Sequence, residues 1–352
     1  MSDVRKRGEV IRNFLLRTIG DNHAPISVSE LCKKASDEFC ITKSAVAKHL
    51  KNLEMEGAIS CEKGAGRSKN CSLKKLEVKE FTYTISGSGC LDEMEVYLRD
   101  ISPLLSEMCA SAKEILSYGF TEMFNNVMDH SGATNAKVVV VNRAVDTTVF
   151  IIDNGVGIFK KVKDALNLSD ERQSLLELSK GKVTTDPANH SGEGIFFTSR
   201  ACDVFAIVSD DLIFTHTESA AHDLLSKMNE PEKFSGTCVV MSIKNHSSKR
   251  LKKIFDEFST VDDGFSSTRV PVKLLQYKDE GLISRSQAKR LLARVERFKF
   301  VTLDFEGIQS IGQAFADQIF RIFRRDHPEV RLSYVNACLD IKKAIKVAQA
   351  NS

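Results

Sequence analysis

The chain has 352 residues, enough for about two domains at roughly 150 residues each, or three small ones. Apolar residues make up 42% and charged residues 28%, with 21 Phe and no Trp, which excludes a collagenous, disordered or disulfide-scaffold protein. Net charge is +3, but residues 1–80 carry 16 Lys and Arg against 11 Asp and Glu, leaving the rest at −2, so an anionic partner is expected to meet the first 80 residues. The densest apolar runs, at 138–141 and 149–152, are strand-sized and far below the roughly 20 residues of a membrane span. Arg5, Lys6 and Arg7 are followed by no long apolar run, which predicts no secretory signal. The nine cysteines are odd in number and none has Cys-x-x-Cys spacing. They are expected to be reduced thiols of a cytoplasmic protein, with neither a disulfide nor a metal site.

Residues 9–19 carry apolar side chains at helical spacing. Pro25 breaks the chain, and Ser27 or Ser29 caps a second helix running through Cys40. Thr42 caps a third from Lys43, since its side-chain oxygen can accept from the free N–H groups of the first turn. Val46, Leu50 and Leu53 share one face of that helix, Ser44, Lys48 and Lys51 the opposite one, and Gly57 ends it. Strands are expected at 58–62 and 71–76, with Lys63, Arg67 and Lys69 making the tip between them cationic. Three helices and a β-ribbon with a basic tip resemble a winged helix-turn-helix over residues 1–80. The resemblance implies a third helix in the DNA major groove and a wing on phosphate. The alternative is a dimerisation module whose lysines form a solvated face.

From Leu91 a long helical pattern runs through Ile101, Leu105, Met108, Ile115, Met123 and Val127, with Pro103 at a helix start. Glu122 and Asn126 lie one turn apart on one face, where a carboxylate and an amide oxygen can hold water and a hard divalent cation together. Strand-like runs at 136–142 and 147–153 follow. The second ends in Asp153, Gly155 and Gly157: the carboxylate can accept from an exocyclic amine, and the glycines let backbone approach a ligand. A polar, Lys-rich stretch, expected to be flexible, spans about 160–190. Gly192 and Gly194 close it ahead of a helix whose free N–H groups can cradle phosphate. Gly236 and Thr237 then open a buried strand.

In this order the boxes resemble the GHKL ATPase family over roughly residues 90–245, a family that includes gyrase B, MutL, histidine kinases and anti-sigma-factor kinases. The resemblance implies an α/β sandwich of the Bergerat type over 81–255 that binds ATP with Mg²⁺. It implies that Asn126 holds Mg²⁺, that Glu122 activates the attacking water or hydroxyl, and that Asp153 reads the adenine amine. It further implies Gly155 and Gly157 along the base pocket, Gly192 and Gly194 at the phosphate end of a lid, and Thr237 beside the adenine. Asn125, Asp129 and His130 fall near the site, His130 alternatively as a helix C-terminal cap. Lys160, Lys161, Lys163, Lys180 and Lys182 fall in or near the lid, where one could reach a phosphate or all could be solvated. No histidine lies between His49 and His130, which disfavours a histidine autokinase. The compact Glu-x-x-x-Asn box is most similar to the anti-sigma-factor serine kinases.

Strands at 267–275, 299–304 and 330–335 alternate with helices at 286–297, 312–325 and 339–349, an α/β layer over 262–350. Residues 303–319 resemble a divergent STAS domain, the anti-sigma-antagonist fold. Ordinary antagonists carry a phosphorylated Ser at the start of that helix. Here Gly312 or Gln313 stands there and Ser310 lies upstream, so a phospho-switch is disfavoured: a helix N-terminal loop around Gly312 with no chemistry is expected, and a binding surface for a protein partner or for the ATP module is the functional alternative. The expectation for the whole is an α/β multidomain, cytoplasmic, ATP-dependent regulatory switch acting on DNA. The alternatives are a protein serine/threonine kinase of the anti-sigma-factor type, or an ATP-driven clamp that forms a homodimer.

Overall fold

The computed structural model describes residues 3–22, 24–63, 69–85, 91–184, 191–217, 220–227, 234–260, 262–276 and 281–350. Side-chain caps set the first helices. After α1 (Asp3–Gly20) and β1 (Ile26–Ser27), Ser27 Oγ accepts from Glu30 N at 3.2 Å and opens α2 (Val28–Phe39). Thr42 Oγ1 accepts from Ala45 N at 3.3 Å and opens α3 (Lys43–Met55). Val46, Leu50 and Leu53 are buried against Leu15 and Leu31, while Ser44, Lys48 and Lys51 are exposed. Strands β2 (Ile59–Lys63) and β3 (Lys69–Leu73) pair antiparallel, with β1 on the far edge of β3.

That ladder corrects the expectation for the cysteines: Cys61 and Cys71 stand directly opposite each other and form a disulfide. Spacing along the chain hides the pair, because antiparallel register brings residues ten apart into cross-strand contact. Arg67 lies outside the described residues.

The centre of the chain builds one seven-stranded antiparallel sheet, ordered β4-β5-β6-β10-β7-β8-β9. Its first strands are β4 (Lys75–Thr84), β5 (Asn135–Arg143) and β6 (Asp146–Asp153). Between β4 and β5 lie the short α4 (Glu93–Val96), a π turn at Tyr97–Ile101, a 3₁₀ turn at Ser102–Leu104, and α5 (Ala110–His130). The helix expected to run on from Leu91 is therefore broken, with Pro103 in the first positions of the 3₁₀ turn. The stretch expected to be a flexible lid is largely helical: α6 (Ile158–Leu166) and α7 (Arg172–Lys180). Its lysines and serines masked Leu175, Leu176 and Leu178, all buried. Next come α8 (Gly194–Ala201), β7 (Val204–Asp210), β8 (Leu212–Thr217), β9 (Ala220–Lys227) and β10 (Phe234–Lys244). Helix α5 packs on α8 at Gly119, where a Cβ would lie 2.9 Å from Thr198 Cγ2. At the other end of β6, the hairpin residues Ala144 and Val145 pack against the N-terminal core.

Helix α9 (Leu251–Phe258) and the small hairpin β11 (Ser259–Thr260) and β12 (Gly264–Phe265) lead into the last layer. There β13 (Ser267–Pro271), α10 (Arg285–Leu292), β14 (Phe300–Asp304), α11 (Gln313–Asp317), α12 (Arg324–Asp326), β15 (Arg331–Val335) and α13 (Leu339–Ala350) form a parallel sheet with helices. Strand–helix–strand crossovers of this kind require a parallel sheet covered by helices. Its core takes in Leu176, Phe196 and Phe197 from α7 and α8, so the last layer and the central sheet's helices are packed as one body of apolar side chains. No helix among the described residues is long and apolar enough to cross a membrane.

Candidate functional site

Helices α5, α6, α7 and α8 enclose, over the β6 and β10 ends of the sheet, a cavity of about 280 Å³. Helix α5 contributes Glu122, Asn125, Asn126 and His130; β6 contributes Asp153; β10 contributes Thr237. Gly157, Gly192 and Gly194 line it as well, so seven of the eight residues singled out from the central boxes converge. The eighth, Gly155, does not line the cavity. A Cβ there would lie 2.3 Å from the Ser131 carbonyl oxygen, so its missing side chain lets the loop pass the end of α5.

Asp153 is 4% exposed at the cavity floor. Its Oδ1 accepts from Gly155 N at 2.7 Å, and Thr237, its register partner on β10, also hydrogen-bonds the carboxylate. Burial raises the Asp153 pKa, opposed by those donors, because desolvation disfavours the charged form. Thr237 Oγ1 additionally accepts from Ile158 N at 3.1 Å, which ties the first turn of α6 to the same corner. The neighbouring Cys238 thiol is pushed up to about 11 by burial and then by the Asp153 charge.

The opposite wall is the glycine segment before α8. Val183 N donates to Gly192 O at 3.2 Å, and a Cβ on Gly194 would lie 2.1 Å from Glu122 Oε2. Only a glycine there lets the Glu122 carboxylate lie against the first turn of α8, where backbone N–H groups lack helical partners and favour negative charge. Lys161 lines the cavity and its Nζ donates to the His130 carbonyl oxygen.

Two residues, one lining this wall and one behind it, escaped the sequence reading. Glu193, between the two glycines, lines the cavity; its pKa is raised by burial and partly restored by Lys182. Tyr118, one turn before Glu122 on α5, has its phenol pKa raised by burial and then by Glu122 and Glu193. Their positions beside the marked residues were the available signal. Of the lysines weighed there, Lys180 and Lys182 point away, toward the last layer: Lys180 Nζ donates to Ala293 O at 2.8 Å and Lys182 Nζ to Arg297 O at 3.0 Å.

Ser44, Lys48 and Lys51 form an exposed face of α3, and Lys63 and Lys69 stand opposite each other across β2 and β3. None of these lines the cavity. In the last layer, a Cβ on Gly312, which precedes α11, would lie 2.7 Å from Ile283 Cα, while the neighbouring Gln313 is exposed.

The cavity suits a small ligand with a hydrogen-bond donor for Asp153 and a polar or anionic end toward α8. Asn126 offers an amide oxygen and Glu122 a carboxylate one turn away, a donor set that fits a Mg²⁺ ion completed by ligand oxygens and water. Among the described residues no three His, Cys, Asp or Glu side chains group as a metal cage, so a cation here would depend on ligand oxygens.

Residues 287–342 match the STAS-like domain of unknown function (DUF4325), from within α10 to the start of α13. No curated protein gives a significant match to the chain.

Proposed function

We propose that the central unit is a GHKL-type, Mg²⁺-dependent ATP-binding module and that the chain is a nucleotide-controlled regulator acting on DNA through an N-terminal winged helix. The observation that carries the reading is the convergence of Glu122, Asn126, Asp153, Gly157, Gly192, Gly194 and Thr237, from four separate stretches of chain, on one cavity. In this reading the Asp153 carboxylate accepts from the adenine amine, and Thr237 holds the carboxylate in place. Mg²⁺ would be held by Asn126, and it supplies charge neutralisation for the phosphates when bound. Glu122 orients and deprotonates the attacking hydroxyl or water. The glycine segment and the first turn of α8 offer backbone N–H groups to phosphate.

The DNA part of the reading is supported by the exposed Ser44, Lys48 and Lys51 on α3 and by Lys63 and Lys69 on the ribbon. The β5–β6 hairpin supplies a physical link: Asp153 ends β6 in the cavity, while Ala144 and Val145 at its turn pack on the N-terminal core. Titration with ATP and Mg²⁺ tests nucleotide binding, and gel shifts with and without Mg-ATP test coupling. Incubation with γ-labelled ATP separates hydrolysis, which releases labelled phosphate, from protein-kinase activity, which labels protein. Equal affinity for DNA with and without nucleotide contradicts the coupling.

A further inference from the structure

We propose that Lys180, with Glu177 and Arg294, is a positioning cluster through which the last α/β layer holds the glycine-side wall of the cavity in its binding geometry. Lys180 is 1% exposed, a burial that an ammonium tolerates only when its donors are met. Its Nζ donates to Glu177 Oε1 at 2.8 Å, Ala293 O at 2.8 Å and Arg290 O at 3.4 Å, three acceptors for three protons. The other Glu177 oxygen lies 3.4 Å from Arg294 Nη1, and Arg294 Nη2 donates to Leu166 O at 3.4 Å.

The main chain is tied at the same place. The Lys180 carbonyl accepts from Thr268 Oγ1 at 2.6 Å. Lys182 and Arg297 exchange side-chain and main-chain hydrogen bonds at 3.0 and 3.2 Å. Lys182 and Arg294 both sit in the left-handed region, at φ 56° and 64°, a conformation that non-glycine residues hold only when surroundings impose it. Leu178 before this anchor and Val183 and Thr184 after it line the cavity, and Val183 passes the constraint to Gly192. Beyond Gly194, Phe196 and Phe197 are buried in the core of the last layer. Both ends of the wall are thus fixed in residues outside the cavity.

Stability alone does not explain a buried ammonium, since apolar replacements of buried ion clusters are often neutral or stabilising. Hydrogen bonds to two fixed carbonyl oxygens define register, which is what a binding wall needs. The ligand side of this inference rests on the nucleotide reading above; the structural side does not.

The test uses the full chain with Lys180→Met, the neutral double variant Glu177→Gln with Lys180→Met, and Arg294→Met, whose side chain is 28% exposed. Three quantities are read: Mg-ATP Kd by calorimetry, amide hydrogen exchange at 178–184 and 191–197 without nucleotide, and melting temperature. The cluster predicts a Kd raised about tenfold, within the usual range of coupling between sites, and faster exchange in both segments, with the double variant melting near wild type. A lower melting temperature with wild-type Kd and wild-type exchange means a structural role only and overturns the proposal. If the Lys180 variants do not fold, Arg294→Met decides by the same readings. If the wild-type chain takes up no nucleotide, the nucleotide reading fails, and exchange at the two segments decides for the cluster by itself.

Discussion

Asp153 carries opposing demands in one carboxylate. Its burial raises the folded-state pKa above the unfolded value, so the charge disfavours folding at neutral pH, and that cost is relieved as pH falls through the raised value. Asp153→Asn is therefore expected to raise the melting temperature at neutral pH while weakening Mg-ATP roughly tenfold or more, the scale of a lost hydrogen bond to a charged group. Calorimetry and thermal melts on the same preparation check both directions. Affinity of the wild-type chain should also fall with decreasing pH, starting above the range of an ordinary carboxylate, and this slope should vanish in Asp153→Asn. Glu122→Gln is expected to leave nucleotide affinity near wild type and to slow turnover by at least tenfold, within the range typical of a lost general base. At this scale the cavity residues were legible because polar side chains at fixed spacings limit what chemistry they can share. Gly155 shows the limit of such spacing, since a glycine's position in the sequence does not reveal whether ligand or chain fills the space beside it. Here the neighbour is the Ser131 carbonyl.

Helices and strands were legible where caps and periodicity act locally, as at Ser27, Thr42 and the buried face of α3. They were missed where a distant partner decides. Helix α7 reads as polar, yet Leu175, Leu176 and Leu178 are buried, and its last residue, Lys180, is held by carbonyls more than a hundred residues away. The Cys61–Cys71 bridge likewise depends on strand register, which the chain between them sets. Reductant is expected to destabilise the N-terminal unit by roughly 2–3 kcal/mol on the chain-entropy account of a ten-residue loop, seen as a lower melting transition that Cys61→Ser/Cys71→Ser reproduces. The contact of α5 with α8 gives a second prediction. Gly119→Ala gains helix propensity of about 1 kcal/mol, but its Cβ would sit 2.9 Å from the buried Thr198 and 3.0 Å from Met241 Sδ. Overpacking of about 1–3 kcal/mol outweighs that gain, so chemical denaturation should show a net loss.

At the scale of the molecule, three cores meet around the central sheet. The N-terminal core takes in Ala144 and Val145 of the β5–β6 hairpin, and the core of the last layer takes in Phe196 and Phe197 of α8. The cavity lies between those two contacts along the chain, with Asp153 on the hairpin strand and Gly194 at the start of α8. Sequence periodicity gave no information on the apolar surfaces that join these cores, because each is a pair of neighbouring residues whose partners lie far away in the chain. The arrangement predicts that Mg-ATP changes hydrogen-exchange protection in β5, β6 and α8 as well as in the cavity itself. It also predicts that Ala144→Asp, which puts a charge into the N-terminal contact, uncouples DNA affinity from nucleotide while leaving the Kd for Mg-ATP within about twofold, since the residue touches nothing in the cavity.

Calorimetric titration of the intact chain with ATP in the presence and absence of Mg²⁺, beside the same titration of Asp153→Ala, bears most directly on the proposed nucleotide site. The expected result is saturable one-to-one binding that tightens with Mg²⁺ and disappears in the variant. A wild-type chain that releases no heat and shows no uptake of ATP, or a variant that binds it equally well, contradicts the account.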